Sequence, residues 1–527
     1  VNVLVTDALD PVCSQLLEAA GITPHVHLKK SPEELEALAP EADGWIVRSG
    51  TQLTADLIAA APNLRVIGRA GVGVDNIDLD AATRRGILVL NAPDGNTIST
   101  AEHTCAMMLA VARQIPQAAA SLKGGAWERK EFAGAELDGK TLGIIGVGKI
   151  GREVAKRMQG FGMRTIGFDP VLSAETAERL GVELVPLDRL WAESDVVTLH
   201  APLNDATRHL VNADSLAQCR DGVYVVNCAR GGIVDEAALL DGLKSGKVGG
   251  AALDVYSQEP PPPGLDELVR HPRTVTTPHI AASTAEAQEK VARQVTQQVI
   301  EALHERPVST PVNAGAIRAA AQPEARPFID LADRLGQIVS QITDGQMRRV
   351  TIGCYGETAR RYAEVLSVAA LRGLLSRWSD APVNLINAPT LARELGLRVD
   401  EQRHSEPADF TNLVEVTLES ADASRSVQGT VLGDDDPRLV GLDGFRFEAK
   451  PDGHLLFYQN VDRPGMLATV GGLLADADVN IASLALGRER PGEMALTVIG
   501  VDDPVPGDVV QKIRAIEGVQ DVRVVNV

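Results

Sequence analysis

Apolar and polar residues alternate along this chain in blocks that predict four successive folding patterns. From Val1 to about Ile98, short β-rich runs (VNVLVT, PHVHL, GWIVRS, RVIGRA, GILVLN) are separated by amphipathic stretches. This is the βαβ rhythm of a doubly wound parallel sheet. A helical stretch follows over Ser99–Ala120, and a second α/β run continues through TLGII, VVTLHAPL, GVYVVNCARGG, VGGAALDVY and TVTTPHIAAST. A long helix over Glu286–Glu305 then leads into RPVSTPVNAGAI. The pattern predicts one α/β unit inserted into another, with that helix crossing back to complete the first. Beyond about Arg318 the rhythm changes. Helices over Ile329–Gln341 and Ala359–Leu375 flank the strand RRVTIGCYG, and two strand-like runs follow, DFTNLVEVTLES and SVQGTVLG. The last segment, His454–Val527, reads strand, helix, strand, strand, helix, strand, which is the ferredoxin-like βαββαβ order. No internal repeat or low-complexity stretch is evident.

The richest local signal is TLGIIGVGKIGR followed by Asp169. An apolar strand runs into Gly146-x-Gly148-x-x-Gly151, then a helical pattern, then a second strand ending in an acid. Gly146 allows the tight turn, Gly148 admits a pyrophosphate close to the backbone, and Gly151 lets helix and strand pack. The helix N-terminus offers N–H groups to the anion. Asp169 lies 18 residues beyond Gly151, where a carboxylate accepts hydrogen bonds from a ribose 2′-hydroxyl and repels a 2′-phosphate, so NAD is favoured over NADP.

Composition narrows the classes of partner. The formal net charge of −20 argues against binding to nucleic acid or to an anionic membrane surface. An anionic substrate then needs locally concentrated cations. Five widely spaced cysteines (Cys13, Cys105, Cys219, Cys228, Cys354) lack the CxxC spacing of a zinc site and suggest no disulfide framework. The acidic GDDDP reads as a solvated turn, and no metal is expected. The N-terminus reads as strand and turn, not as a signal peptide, and no apolar run reaches about 18 residues. The expected location is the cytosol.

Three ionisable residues close apolar strands downstream of the glycines: Arg230 in NCARGGIVDE, Glu259 in LDVYSQEP and His279 in TPHIAAST. Imidazole suits removal of an alcohol proton near neutral pH, a carboxylate on its other nitrogen fixes the tautomer, and arginine holds a carboxylate in two-point contact. On these motifs, together with LHAPLNDATRHL, the chain resembles the D-isomer-specific 2-hydroxyacid dehydrogenases over most of residues 1–314. The resemblance implies catalytic roles for Arg230, Glu259 and His279. It also implies a cofactor site formed by Val72, Gly146, Gly148, Lys149, Ile150, Gly151, Asp169, Ala201, Cys228, Ala229, Arg230, Asp254, His279 and Ala282, with Asp254 near the nicotinamide carboxamide. Cys228 reads as a packing residue rather than a nucleophile, and His103 and His200 as structural.

The glycine-rich GRAGVGVDNID can form a nest of N–H groups for a carboxylate. Arg48 and Ser49 in VRSGT and Arg69 before the nest resemble the substrate site of the phosphoglycerate-oxidising members of the family. Trp127-Glu128-Arg129-Lys130 resembles a segment that reaches a neighbouring subunit, so Lys130 is a further phosphate candidate, with Arg129 beside it. The C-terminal segment resembles an ACT domain, a small module that binds amino acids between paired copies. Asp462, Asn480 and Ile481 match its serine ligands, and Asn460 occupies a position where the residue type varies. Arg446 and Lys450 are weaker candidates for a second anion site.

The implied layout is a flavodoxin-like substrate domain (1–98 and 283–314) carrying an inserted Rossmann-type NAD domain (99–282). An intervening α+β regulatory domain (315–453) and a ferredoxin-like ACT domain (454–527) follow. The implied activity is NAD-dependent oxidation of D-3-phosphoglycerate to 3-phosphohydroxypyruvate, the entry to L-serine synthesis, in a homotetramer inhibited by L-serine. The alternatives are a glyoxylate or hydroxypyruvate reductase, which shares Arg230, Glu259 and His279, and a non-catalytic NAD-sensing binding protein.

Overall fold

A computed structural model describes the chain except residues 321, 380, 381, 406–408 and 489. It divides into two compact units, one comprising Val1–Ala8, Ser14–Asn91 and Val295–Val527, the other Leu9–Cys13 and Ala92–Gln294.

The first unit opens with five parallel strands, β1 (Asn2–Val5), β2 (Thr23–Val26), β3 (Gly44–Val47), β4 (Val66–Arg69) and β5 (Leu88–Asn91), in the order β2-β1-β3-β4-β5. This is the flavodoxin-like order. Every residue of β3 is buried because both faces of the sheet are covered, which is why GWIV reads as a continuous apolar run. Trp45 is fully buried, and its indole N–H donates to Thr6 Oγ1 at 3.0 Å. The end of the helix Ala285–Leu303 returns to this sheet through Val295 and Val299, over Gly68 of β4.

The second unit holds seven parallel strands: β6 (Thr141–Ile145), β7 (Arg164–Phe168), β8 (Glu183–Leu184), β9 (Val196–Leu199), β10 (Val223–Asn227), β11 (Val248–Leu253) and β12 (Thr274–Thr276). Their order, β12-β11-β10-β9-β6-β7-β8, reverses direction between β6 and β9. In an open α/β sheet that reversal opens a crevice at the carboxyl ends of the strands.

The C-terminal part of the first unit contains two more sheets. Strands β13 (Met347–Tyr355), β14 (Arg398–His404), β15 (Leu413–Ser420), β16 (Ser424–Leu432), β17 (Asp436–Leu442) and β18 (Phe445–Ala449) form a mixed sheet, parallel only between β13 and β14. GDDDP makes the turn between β16 and β17. Strands β19 (His454–Val461), β20 (Ile481–Arg488), β21 (Met494–Val501) and β22 (Val519–Asn526) form an antiparallel sheet ordered β20-β21-β19-β22, with the ferredoxin-like connectivity.

These two sheets share a core. Leu331, Leu335 and Ile338 on the helix Arg326–Ile342 pack with Val350 and Ile352 of β13, and also with Leu455, Phe457, Leu496 and Val498 of the last sheet. The opposite face of that sheet, Leu456, Tyr458 and Ile499, is covered by its own helices through Met466, Val470 and Ile513. Burial on both faces explains the unbroken apolar run LLFY. Arg425 bridges Asp443 of one module and Asp521 of the other.

Two helices differ from the sequence reading. The helix expected over Ser99–Ala120 breaks into Thr97–Arg113 and Ile115–Lys123, with Gln114 at φ +51° between them. Pro116 has no N–H to continue the first helix and its ring crowds the preceding turn, but it suits the start of a second. The stretch Ala359–Leu375 likewise divides, into Glu357–Arg361 and Ala363–Leu375.

The shared core gives a direct expectation. Leu335→Ala and Phe457→Ala should each destabilise by roughly 2–5 kcal/mol. In either variant, hydrogen exchange measured by mass spectrometry should accelerate in both β13 and β21. Acceleration confined to the mutated module would show that the two sheets unfold independently.

Candidate active site

At the reversal of the seven-stranded sheet, Gly146 follows β6 at φ +89°, and a Cβ on it would lie 2.6 Å from the carbonyl oxygen of His200. Gly151 approaches so closely that a Cβ would sit 2.2 Å from the Gly146 oxygen. Between them Gly148 is the N-cap of the helix Lys149–Gln159, with no side chain capping it and open space where a Cβ would stand. Uncapped N–H groups and open space suit a pyrophosphate. Asp169, just after β7, accepts from the Val147 N–H at 2.9 Å and from the N–H groups of Val171 and Leu172. Its carboxylate is thereby fixed beside the glycine turn, and this cradle fits a dinucleotide.

Lys149 pairs with Asp94. Ala201 follows His200 on the far side of the turn, its backbone nitrogen 3.0 Å from where a Cβ on Gly146 would stand. Cys228 is buried just after β10, and burial pushes its thiol up to about 12, so it is no thiolate nucleophile at neutral pH. Ala282 accepts from the Gln288 side chain at 2.7 Å. In the other unit, Val72 accepts from Asn91 Nδ2 at 2.7 Å.

Glu259 and His279 meet, with Glu259 Oε2 and His279 Nδ1 at 2.6 Å. The second carboxylate oxygen accepts the Tyr256 N–H at 3.1 Å. Burial raises the Glu259 pKa, but the hydrogen bond and charge of His279 and the Tyr256 N–H outweigh it and hold the carboxyl below its usual range. An ionised carboxylate can only accept, so Nδ1 carries the proton and Nε2 is left to act as a base. Arg230 follows β10 and precedes the turn Gly231–Ile233. Buried Asn227 holds this corner, donating to the Arg230 carbonyl at 2.8 Å and accepting from the Ala229 N–H at 3.0 Å. All three residues therefore stand at or beyond carboxyl ends of this parallel sheet.

Asp254 is fully buried and its carboxylate is taken up by protein donors. Oδ1 accepts from the Thr277 hydroxyl at 2.6 Å and the Ile280 N–H at 2.9 Å, and Oδ2 accepts from the Ala281 N–H at 2.9 Å. His103 Nε2 lies 3.4 Å from Oδ1. His200 bonds Thr198 Oγ1 at 3.0 Å.

In the first unit, Arg48 follows β3 and Arg69 ends β4, and the register pairs Val47 with Arg69, so the two arginines occupy adjacent strand ends. Asp7 secures the Arg48 loop, accepting from the N–H groups of Arg48 at 2.5 Å and Thr51 at 3.1 Å. Asn76 grips the same loop from the other side, donating to the Arg48 carbonyl at 2.7 Å. Ser49 is exposed. Arg129 and Lys130 are also exposed, beside a Trp127 that is 77% exposed.

The effector candidates do not meet within one chain. Asp462 follows β19, whose Val461 pairs with Met494, and it bonds Arg488. Asn480 and Ile481 stand at the other end of β21, where Ile481 pairs with Val501, and Asn480 Nδ2 donates to Asp502 at 2.7 Å. The intervening strand length is about 23 Å. Asn460 is buried, its side chain held by Thr497 at 3.2 Å and the Val461 carbonyl at 2.9 Å. Arg446 pairs with Asp409 at 2.5 Å, and Lys450 is exposed.

Asp7, Asn76, Asn227, Thr277 and His103 were not singled out as functional from the sequence. Lone polar residues carry no spacing signal. Only Thr277, inside TTPHIAAST, could have been suspected from its place beside His279.

No helix among the described residues is long and apolar enough to cross a membrane. Residues 105–281 match the NAD binding domain of D-isomer specific 2-hydroxyacid dehydrogenases, residues 324–443 the D-3-phosphoglycerate dehydrogenase intervening domain, and residues 454–518 the ACT domain. The chain is 42% identical to a D-3-phosphoglycerate dehydrogenase of Methanocaldococcus jannaschii over 100% of both chains, and 44% identical to one of Homo sapiens over 96% of both. Among solved structures, a glyoxylate reductase from Paecilomyes thermophila is similar with a TM-score of 0.55 and 32% identity, covering 59% of this chain and 98% of its own. With that identity sustained along its whole length and all three domain types in sequence, the chain belongs to the D-3-phosphoglycerate dehydrogenase family.

Proposed function

We propose that this chain catalyses NAD-dependent oxidation of D-3-phosphoglycerate to 3-phosphohydroxypyruvate. The observation that carries the reading is the Glu259–His279 pair at 2.6 Å, in the same compact unit as the glycine cradle and Arg230. His279 Nε2 takes the proton of the substrate C2 hydroxyl. Glu259 fixes the tautomer through Nδ1 and stabilises the imidazolium that forms. Arg230 holds the substrate carboxylate and polarises the forming carbonyl. NAD, when bound on the Gly146–Gly151 turn, supplies the acceptor for the C2 hydride. Asp169 receives the adenosine ribose. Val72, Lys149, Ile150, Ala201, Cys228, Ala229, Asp254 and Ala282 complete the surroundings of the dinucleotide.

Arg48, Ser49 and Arg69 bind the anionic substrate, and Lys130 of a neighbouring copy joins them at the phosphate. Adjacent strand ends carrying two arginines provide the local positive field that a chain of net charge −20 otherwise lacks. Phosphoglycerate is favoured over glyoxylate because a reductase of an unphosphorylated acid needs neither the phosphate cations nor the C-terminal modules, which lie beyond the 59% of this chain that the glyoxylate reductase covers.

L-Serine inhibits by binding at the ACT modules of two copies in a homotetramer. Edge strand β20 exposes Ile481, Leu484 and Leu486, and an antiparallel pairing of two such edges brings Asp462 of one copy to Asn480 and Ile481 of the other. That arrangement accounts for candidate ligands lying at opposite ends of one sheet.

Incubation with D-3-phosphoglycerate and NAD should yield NADH at 340 nm, suppressed by millimolar L-serine in the native chain but not in Asp462→Ala. Absence of turnover overturns the catalytic reading, whereas equal serine inhibition in Asp462→Ala overturns the effector site alone. Because the Glu259 carboxyl is held below its usual range, it stays ionised across the neutral region, and its hold on Nδ1 is lost only as pH falls through that lowered range. Glu259→Gln should lower kcat roughly 100-fold. A kcat within twofold of native would mean that Glu259 does not act through His279.

A further inference from the structure

His279 has φ +52°, a left-handed backbone conformation that is unfavourable for a residue with a Cβ. It is preceded by Pro278, and what fixes the turn lies on both sides. Two residues before it, Thr277 is held by its hydroxyl to Asp254 Oδ1, while its carbonyl accepts from the Tyr256 hydroxyl at 3.0 Å. After it, the N–H groups of Ile280 and Ala281 donate to the two oxygens of the same carboxylate. One buried acid therefore grips both flanks of the acid/base histidine.

His103, on the helix Thr97–Arg113, closes this clamp, with Nε2 at 3.2 Å from Thr277 Oγ1 and 3.4 Å from Asp254 Oδ1. The proton positions follow from donor counting. A hydroxyl has one hydrogen, and the Asp254 oxygen at 2.6 Å is a far better acceptor than Met107 Sδ at 3.8 Å. Thr277 Oγ1 thus donates to Asp254 and can only accept from His103, so Nε2 carries a hydrogen. That hydrogen lies between the hydroxyl and the carboxylate. Burial raises the Asp254 pKa, but the donors from His103, Thr277, Ile280 and Ala281 outweigh it and hold the acid ionised.

We propose that His103 is a positioning residue for the reaction: its Nε2–H locks the Asp254–Thr277 clamp that aims the His279 imidazole. The proposal rests on His279 being the acid/base group. It assigns His103 an effect on the chemical step rather than on binding, because displacement of a reacting group by about 1 Å can cost 100-fold in rate. His103→Gln places an amide N–H close to the position of Nε2, whereas His103→Asn is too short and His103→Leu has no donor.

The test compares the full-length enzyme and these three variants by steady-state kinetics, with His279→Ala as the control for the parent reading. The expected result is a 10- to 100-fold loss of kcat in His103→Leu and His103→Asn. KM values for phosphoglycerate and NAD should stay within about twofold, and His103→Gln should recover most of the rate. Should His103→Leu misfold, the Asn and Gln pair alone decides the matter. A kcat for His103→Asn within twofold of native, a loss confined to KM, or His103→Gln no better than His103→Asn would each overturn the proposal. Turnover retained by His279→Ala would instead overturn the parent reading, and the clamp's role in catalysis with it.

Discussion

The carboxylate of Asp254 is the interaction on which the geometry of the candidate site rests. An unpaired charge with no solvent exposure would be prohibitively unfavourable. Here two backbone N–H groups and one hydroxyl converge on it at 2.6–2.9 Å. Those donors belong to the turn that carries His279, so solvating the acid and shaping the turn are one event. The fixed turn places the exposed imidazole on Glu259, and the Glu259 carboxylate in turn sets which ring nitrogen carries the proton.

A chain with a large negative charge handles anions by local arrangement. Backbone N–H groups at an uncapped helix N-terminus suit a dinucleotide without adding formal charge. Arginines at adjacent ends of β3 and β4 concentrate positive charge, and Asp7 and Asn76 fix the backbone beneath one of them. The C-terminal modules follow another logic. Their two sheets share the helix Arg326–Ile342, so central strands β19 and β21 of the last sheet are buried on both faces, while edge strand β20 is exposed and Asp462, Asn480 and Ile481 lie at strand ends.

Features encoded by contiguous residues were legible in the sequence. Two parallel sheets, the glycine turn with its acid, and the βαββαβ ending all arise from local periodicity and motif spacing. The pairing of Glu259 with His279 was readable because each lies in a distinctive motif. The Asp254–Thr277–His103 clamp was not, since it joins residues as far apart as 103 and 277 whose types are unremarkable one by one. His103 read as structural for that reason. Strand β14, RVDEQRH, carries no apolar alternation because it is a polar edge strand paired on one side only. The break at Gln114 was hidden inside a helical pattern in which Pro116 was the single cue. The separation of Asp462 from Asn480 is a matter of strand register, which sequence spacing does not reveal.

A crystal structure of the chain with NADH and D-3-phosphoglycerate would give the distance from the C2 hydroxyl oxygen to His279 Nε2. The expected result is a hydrogen bond of about 2.6–3.2 Å, with Nδ1 still on Glu259 and the substrate carboxylate on Arg230. A hydroxyl directed away from the imidazole, or an imidazole turned off Glu259, would contradict it.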